Sequence, residues 1–448
     1  MTSKLPRISM ALCLAATMIL ALVANIDRDN ETINTKPYFS DDGLYYGGGA
    51  QSAFVTPHGL ELAMVEKLDL FQNAHTMLYN LSGHASHVGD YISQYSPDRY
   101  FTSSYLASIV VRMSFGAMSV RTAYIVVNVG LWVASIFFIY RLSCFLFGNP
   151  LASLASATLL AGWPLFTLMY QSMKVQYGAV VYLLAGMYLY EYYVDRQPLA
   201  RQGMFALTFW WIGLNCSGGA AYLLFFLAVR ALVRWRDGRW VGVAVIMAML
   251  PVAVFLQGQL LAHYRLQSLL QTFSYGAVLR ESLVTLKMAI MGESLEGRKF
   301  LSFYGFSYFT VQVPRTALSL WHGNALVVIL GIVGLLLRRD RLWLALVAVI
   351  ALIVGFLPIT FIGNPYFYAQ FGGPAMVFLI LGSGLVLGRV ASFRAPAGTI
   401  VALAGLIASL WLFMSSYVNA LDYFYGGLGY LNQSDHVYVY HGRTLDIY

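Results

Sequence analysis

The sequence predicts an all-α, polytopic membrane protein with about eleven transmembrane helices, and three observations support this fold class. Of the 448 residues, 59% are apolar and only 11% are charged, whereas soluble globular proteins carry about 25% charged residues. The apolar residues come in runs of about 17–25, the length that a helix needs to cross roughly 30 Å of hydrocarbon. Charged residues gather between these runs. The composition excludes an ordinary cytosolic enzyme, a disordered chain and a nucleic-acid-coating protein.

The apolar runs predict eleven spans within a single integral membrane domain that covers residues 1–448. The spans are 8–26, 121–147, 151–172, 175–194, 204–214, 218–233, 241–262, 316–337, 342–361, 367–388 and 397–418. The first span also fits a cleaved signal peptide. We expect it to be retained, because the Leu22/Ala24 pair is a poor small-x-small cleavage site.

The stretch 204–233 fits either one tilted helix or a short hairpin. Arg196 and Arg201 precede it, and four further arginines follow between residues 230 and 239. Cytoplasmic flanks are enriched in arginine and lysine, so both flanks should be cytoplasmic and the chain should turn back near residues 215–219. We therefore expect a hairpin, an odd number of spans, a cytoplasmic N-terminus and an external C-terminus.

This topology leaves three sizeable external segments, which are 27–120, 263–315 and the tail 419–448. Amphipathic stretches at 60–68, 100–115 and 278–291 fit external helices that lie on the membrane surface. The cytoplasmic connections are too short to fold into a catalytic unit, so chemistry is expected on the external side.

The net charge of +8 follows the same topology. The cytoplasmic loops and span ends hold fourteen of the 28 lysines and arginines but only four of the 20 acidic residues. Within the spans charges are few, and Arg141 and Glu191 lie near cytoplasmic ends, where we expect them to snorkel to the surface. The basic excess is therefore interpreted as an orientation signal and not as the mark of an acidic partner.

The most informative external stretch is Tyr-Phe-Ser-Asp-Asp-Gly-Leu-Tyr-Tyr at 38–46, about a dozen residues after the first span. Asp41 and Asp42 are flanked by aromatic residues and suit a general base that acts on a substrate at the outer membrane surface. Ser-Asp-Asp-Gly is also good turn or helix-cap chemistry. The residues alone leave both interpretations open.

Further features follow this acidic pair in a fixed order. They are Tyr45, two candidate surface helices that end in the stretch Tyr105–Gly116, Arg121 at the start of a long span, Phe147-Gly148, a third span reaching Trp163-Pro164, the 203–236 hairpin, and Asn364-Pro365-Tyr366 to Gly373-Pro374 before a late span. In this order the chain resembles the GT-C superfamily of membrane glycosyltransferases, particularly protein O-mannosyltransferases and lipid A aminoarabinose transferases. The resemblance covers about residues 8–240 and is weaker beyond.

The resemblance implies transfer of a sugar from a polyprenyl-phosphate donor to an acceptor hydroxyl or similar nucleophile on a glycan, lipid or protein. It gives Asp41 the role of general base, and Asp42 that of orienting it or binding a divalent cation. A carboxylate can activate a poor hydroxyl nucleophile, and nearby negative charge stabilises an oxocarbenium-like state. Because no second nucleophilic carboxylate is evident, we expect direct displacement with inversion.

The phosphate of the donor requires cations that face its developing charge. Lys174, in a short external turn between two spans, and Arg121 are candidates, although snorkelling or a structural role fits them equally well. The family's hairpin turn commonly carries a lysine, where this chain has Asn215 and Ser217, so a mono- or diphosphate donor stays open. The expected substrate-binding residues are Tyr45, Arg99, Arg121, Lys174, Asn215, Arg265, Arg298, Lys299 and Tyr304.

The external histidines and the competing functions leave further interpretations open. His84 and His87 could join the Asp pair around a metal, but they follow Ser82-Gly83 and fit a loop, so no metal site is predicted at these histidines. A glycan polymerase or ligase, a non-catalytic scaffold and a transporter of lipid-linked sugars are alternative functions that compete with the transferase.

Besides the sugar donor and the acceptor, the expected partners of the chain are membrane lipids. We expect the bacterial inner membrane, although four Asn-x-Ser/Thr sequons would also fit the endoplasmic reticulum.

Overall fold

A computed structural model describes a large part of the chain. The described residues are 4–28, 106, 110, 113–114, 120–163, 176–214, 219–233, 240–263, 313–338, 342–350, 367–393, 396–421, 431–432, 437–440 and 443–446. Almost all of them are helical, which confirms the predicted all-α class for this part of the chain.

The described residues form eleven α-helices, which follow the eleven predicted spans in order. They are α1 (Lys4–Arg28), α2 (Val120–Phe147), α3 (Pro150–Gly162), α4 (Gln176–Tyr192), α5 (Leu199–Leu214), α6 (Gly219–Val233), α7 (Trp240–His263), α8 (Val313–Leu336), α9 (residues 342–350), α10 (Phe367–Ser392) and α11 (Ala397–Leu421). A 3-10 turn, Val194–Arg196, joins α4 to α5. The stretch 204–233 contains parts of two helices, as the hairpin interpretation predicts.

Two of the described helices, α1 and α2, are long and apolar enough to cross a membrane. The qualifying windows are Lys4–Val23, with 20 residues, and Val126–Phe147, with 22 residues. The other apolar helices are described over shorter windows of 10–17 residues. The count of eleven membrane crossings therefore stays a prediction.

The connection between α2 and α3 shows how local sequence sets a helix boundary. Gly148 has a positive φ of 63°, which a residue without a Cβ adopts at little cost, and it ends α2. The Asn149 side chain then accepts hydrogen bonds from the backbone N–H groups of Leu151, at 2.9 Å, and Ala152, at 3.4 Å. Pro150 occupies the first turn of α3, where its missing N–H costs nothing. The turn is therefore encoded by three adjacent residues.

Helix α10 packs against α3, α8 and α11 at the centre of the described bundle. Glycines allow the close approaches, since a Cβ added at Gly382 would collide with the carbonyl oxygen of Gly331 in α8. A Cβ added at Gly388 would likewise collide with the Ala152 backbone of α3. Small residues at such contacts are typical of helix packing where no water drives the helices together.

Contacts at two heights give the relative directions of five helix pairs in the described part of the chain. Helix α4 is joined to α2 by the pairs Tyr188–Phe138 and Tyr192–Phe145, and to α6 by the pairs Gly186–Leu223 and Tyr190–Phe226. It is joined to α5 by the pair Tyr182–Phe209 and, directly after its last residue, by the pair Tyr193–Phe205. The pairs Gln202–Gly242 and Trp210–Ile246 join α5 to α7, and the pairs Ser156–Gly384 and Ala152–Gly388 join α3 to α10.

Residue numbers rise together in the pairs α2/α4, α4/α6 and α5/α7, so these helices are parallel. They run in opposite senses in the pairs α4/α5 and α3/α10, which are antiparallel. Each result agrees with helices that alternate in direction along the chain, as successive membrane crossings must. The directions of α5 and α6 relative to α4 also make α5 and α6 antiparallel, as in the predicted hairpin.

The C-terminal tail adds three very short strands to the helices. Strands β1 (Leu431–Asn432), β2 (Val437–Tyr440) and β3 (Arg443–Asp446) form a small antiparallel sheet in the order β1-β2-β3. The β2–β3 register pairs Val439 with Thr444. These strands lie within the predicted external tail, and the sequence predicts no secondary structure there.

Candidate functional site

The predicted catalytic pair, Asp41 and Asp42, lies outside the described residues. The same holds for Tyr45, Arg99, Lys174, Asn215, Arg265, Arg298, Lys299 and Tyr304, and for His84 and His87. The amphipathic stretches 60–68 and 278–291 also lie outside them, and 100–115 is described only at residues 106, 110, 113 and 114. Arg121 belongs to the first turn of α2. The roles of all these residues stay predictions.

The helix directions relate four of these residues to one end of the bundle. Because α2, α4 and α6 are parallel to one another and antiparallel to α5 and α7, the first residues of the former lie level with the last residues of the latter. Arg121 is the second residue of α2, and Lys174 precedes α4 by two positions. Asn215 follows α5 directly, and Arg265 follows α7 by two positions. Four of the expected substrate-binding residues are thus at, or adjacent in sequence to, helix ends on the same side.

The opposite end of the same helices holds a buried polar cluster formed by Glu191, Arg230 and Trp343. Arg230 Nε lies 2.5 Å from Glu191 Oε1, and Arg230 Nη2 donates to Glu191 Oε2 at 3.0 Å. The Arg230 guanidinium also lies 4.4 Å from the centroid of the Trp343 ring. The side chains of Arg230 and Glu191 are only 5% and 3% exposed. The cluster joins the C-terminal ends of α4 and α6 to the start of α9.

This cluster corrects the sequence interpretation of Glu191, which was expected to snorkel to the surface. A buried carboxylate costs several kcal/mol unless it is paired, and the guanidinium of Arg230 supplies two contacts that compensate for this cost. The sequence does show two opposite charges, Glu191 and Arg230, near the ends of two apolar runs, and this pattern could have suggested an ion pair. The sequence did not reveal that the two runs pack side by side and in parallel.

Arg141 behaves as the sequence analysis expects, since it is exposed near the end of α2. Its Nε and Nη2 atoms donate to the Tyr188 hydroxyl oxygen at 3.3 and 3.0 Å. Tyr188 stacks on Tyr192 with 5.4 Å between ring centroids, and the Arg196 guanidinium lies 5.9 Å from the Tyr192 ring. Two cations are therefore held against an aromatic pair at this end of the bundle.

The described residues offer little independent chemistry. No group of three or more metal-ligating side chains occurs among them. The cavity described between α4, α5, α6 and α7 has apolar walls that include neither Glu191 nor Arg230. Within the described residues the ion pair therefore connects α4, α6 and α9 and does not line this cavity.

Comparison with known proteins assigns no relative to this chain. No protein-family model matches it, and a search of curated proteins finds no match. Its function therefore has to be argued from the residues and the geometry described above.

Proposed function

We propose that this chain is a GT-C-like glycosyltransferase that spans a bacterial inner membrane. It moves a sugar from a polyprenyl-phosphate donor to an acceptor on the external, periplasmic face. The observation that carries the proposal is the Asp41-Asp42 pair that follows the apolar helix α1, in the same order of features as in that superfamily.

The apolar surface of the helices supports a membrane location. Leu20 in α1 and Trp411 in α11 are 67% and 74% exposed, and other large apolar side chains are exposed along the same two helices. Soluble monomers rarely leave large contiguous apolar patches in water. A lipid environment removes this cost, because hydrocarbon surrounds the exposed faces.

The alternating helix directions support an external site. The arginine-rich connections follow the C-terminal ends of α4 and α6, and the positive-inside tendency makes this end cytoplasmic. Lys174, Asn215 and Arg265 then attach to helix ends on the external side, the side that also receives the segment 27–120. In the proposed topology, Lys174 and Arg265 supply positive charges on the same side of the membrane as the Asp pair.

The proposed reaction is a single displacement. Asp41 removes the proton of the acceptor hydroxyl, and the acceptor oxygen bonds to the anomeric carbon of the sugar. The bond between that carbon and the donor phosphate breaks, and its electrons leave on the polyprenyl phosphate. Lys174, Arg121 and Arg265 face this developing negative charge. Asp42 orients Asp41 or holds a divalent cation, and the sugar inverts its configuration.

The test is transfer by the purified full chain and by Asp41→Asn, with Asp90→Asn as the matched control in the same external segment. Both variants remove one carboxylate charge, so a general effect of charge would appear in both. Wild-type protein should be stabilised thermally by one member of a panel of polyprenyl-phosphate sugars and should transfer that sugar. Asp41→Asn should lose transfer while Asp90→Asn retains it. Near-normal transfer by Asp41→Asn would refute Asp41 as the general base, and no transfer by the wild-type protein with any donor of the panel would favour a scaffold or transporter.

A further inference from the structure

We propose that Arg141 of α2, held in place by Tyr188 of α4, binds the phosphate of an anionic phospholipid in the cytoplasmic leaflet. An acyl chain of this lipid lies along the exposed apolar face of α2. The site is at the end of the helices opposite the proposed sugar-transfer site. It depends on the proposed membrane location and orientation of the chain and not on glycosyltransferase activity.

Arg141 lies at the level expected for the cytoplasmic headgroups. It follows Arg121 by 20 residues within α2, which is about 30 Å at the rise of an α-helix. The hydrocarbon layer of a membrane is also about 30 Å thick. With Arg121 at the external surface, Arg141 therefore reaches the cytoplasmic surface.

The Tyr188 hydroxyl orients the Arg141 guanidinium and leaves one of its edges open. Nε and Nη2 of Arg141 donate to the Tyr188 hydroxyl oxygen at 3.3 and 3.0 Å. A guanidinium has five N–H groups, and these two contacts use the edge that Nε and Nη2 share. The edge formed by Nη1 and Nη2 carries no further hydrogen bond to a described residue. Its two parallel N–H groups match two oxygens of a phosphate.

No carboxylate among the described residues is paired with Arg141. Glu191 is bound by Arg230, and Asp195 is followed directly by Arg196 in the 3-10 turn. The charges of these four groups cancel, so the positive charge of Arg141 remains for a ligand. This charge complements an anionic headgroup, and one basic residue near the membrane surface favours an anionic lipid by about fivefold.

On the membrane side of Arg141, α2 presents an apolar face that fits an acyl chain. Val126, Val133 and Phe137 are exposed, and their spacing places them on one face with Arg141. Gly130 belongs to the same row, and a Cβ added there would have no atom within 4 Å. From Arg141 to Gly130 the row is about 16 Å long, close to the hydrocarbon thickness of one leaflet.

A phospholipid joins the two features that this surface offers. Its phosphate meets the open edge of the guanidinium while its acyl chain covers the apolar row. A zwitterionic lipid has the same chains but gains less from Arg141, because its headgroup carries a compensating positive charge.

The experiment is native mass spectrometry of the purified full chain in micelles that contain equal amounts of phosphatidylglycerol and phosphatidylcholine. Wild-type protein should retain phosphatidylglycerol preferentially, and Arg141→Gln should lower that preference about fivefold. The matched control is Arg389→Gln, which removes an exposed arginine at the end of α10. Leu385, one turn before Arg389, is buried, so no exposed apolar row leads to this arginine and its loss should leave the preference unchanged.

A second pair of variants tests the orientation of the guanidinium. Tyr188→Phe keeps the ring but removes the hydroxyl that holds Arg141, so it should lower the preference for phosphatidylglycerol, although less than Arg141→Gln does. Tyr193→Phe removes the hydroxyl of an exposed tyrosine directly after α4 and should leave the preference at the wild-type value.

Three results would overturn the proposal. The first is equal retention of the two lipids by the wild-type protein. The second is an Arg141→Gln preference that equals that of Arg389→Gln. The third is a Tyr188→Phe preference that equals that of Tyr193→Phe, because an arginine that only extends to the surface does not need the hydroxyl. A protein that transfers no sugar but retains phosphatidylglycerol in the expected pattern would still support the lipid site.

Discussion

Removing one partner of the Glu191–Arg230 ion pair should destabilise the protein far more than removing both. The pair is almost fully buried and makes contacts of 2.5 and 3.0 Å. Breaking a buried ion pair by removing one partner costs about 3–5 kcal/mol, because the other charge is left uncompensated. Glu191→Met and Arg230→Met should each show this cost. The double variant leaves no charge and should recover most of it.

Thermal unfolding of the purified chain in detergent measures the effect. An unfolding entropy of about 2.1 cal/mol/K per residue over 448 residues means that about 1 kcal/mol shifts the Tm by about 1 °C. Each single variant should therefore lower the Tm by about 3–5 °C, and the double variant by about 1–2 °C. The difference is the coupling free energy of a double-mutant cycle.

Arg141→Met is the matched control, since Arg141 is exposed and contacts the neutral Tyr188 hydroxyl. Its loss should change the Tm by about 1 °C or less, as is usual for surface substitutions. The reasoning is refuted if Arg230→Met lowers the Tm no more than Arg141→Met does. It is also refuted if the losses of the two single variants simply add in the double variant.

Two further predictions test the topology and the glycine packing. The topology is tested in a chain whose native cysteines are replaced by alanine. Lys174→Cys and Asn215→Cys should react with an impermeant maleimide from outside the cell, and Ser392→Cys should react only after permeabilisation. The opposite labelling pattern would reverse the proposed orientation. Gly382→Ala should lower the Tm by about 1–3 °C because its Cβ meets the α8 backbone. In Gly130→Ala the new Cβ has no atom within 4 Å, so the Tm should stay the same or rise by up to about 1 °C. If both glycine variants lower the Tm equally, the described contact between α8 and α10 is contradicted.

Much of the helical fold could be predicted from local sequence. An apolar run has to satisfy its backbone hydrogen bonds internally, which a helix does within the segment itself. The turn at Gly148, Asn149 and Pro150 is also local, because each residue acts through its own backbone preference or a cap two positions away. The arginines around 204–233 predicted a change of direction, and the structure has two helices there. The tail strands could not be predicted in this way, because Val437–Tyr440 and Arg443–Asp446 are only four residues long and show no apolar–polar alternation.

At the functional site, some residues could be predicted from the sequence, whereas the contacts of the buried ion pair could not. Asp41, Asp42 and the donor-binding residues come from a pattern of residue types and from a resemblance, and Asp41→Asn remains the decisive test. The partners of Glu191 could not be predicted in this way. Arg230 is 39 residues away and Trp343 is more than 150 residues away, so their meeting depends on how three helices pack.

Local sequence was sufficient to define the helices, their order and their alternating direction, because chain length, backbone hydrogen bonding and flanking charge act segment by segment. Which face of each helix is buried depends on the packed bundle. The rotation of a helix about its own axis depends on its neighbours, because its glycines allow close contact on one face and its large side chains have to fit the spaces that the neighbouring helices leave. That rotation turned Glu191 inward onto Arg230.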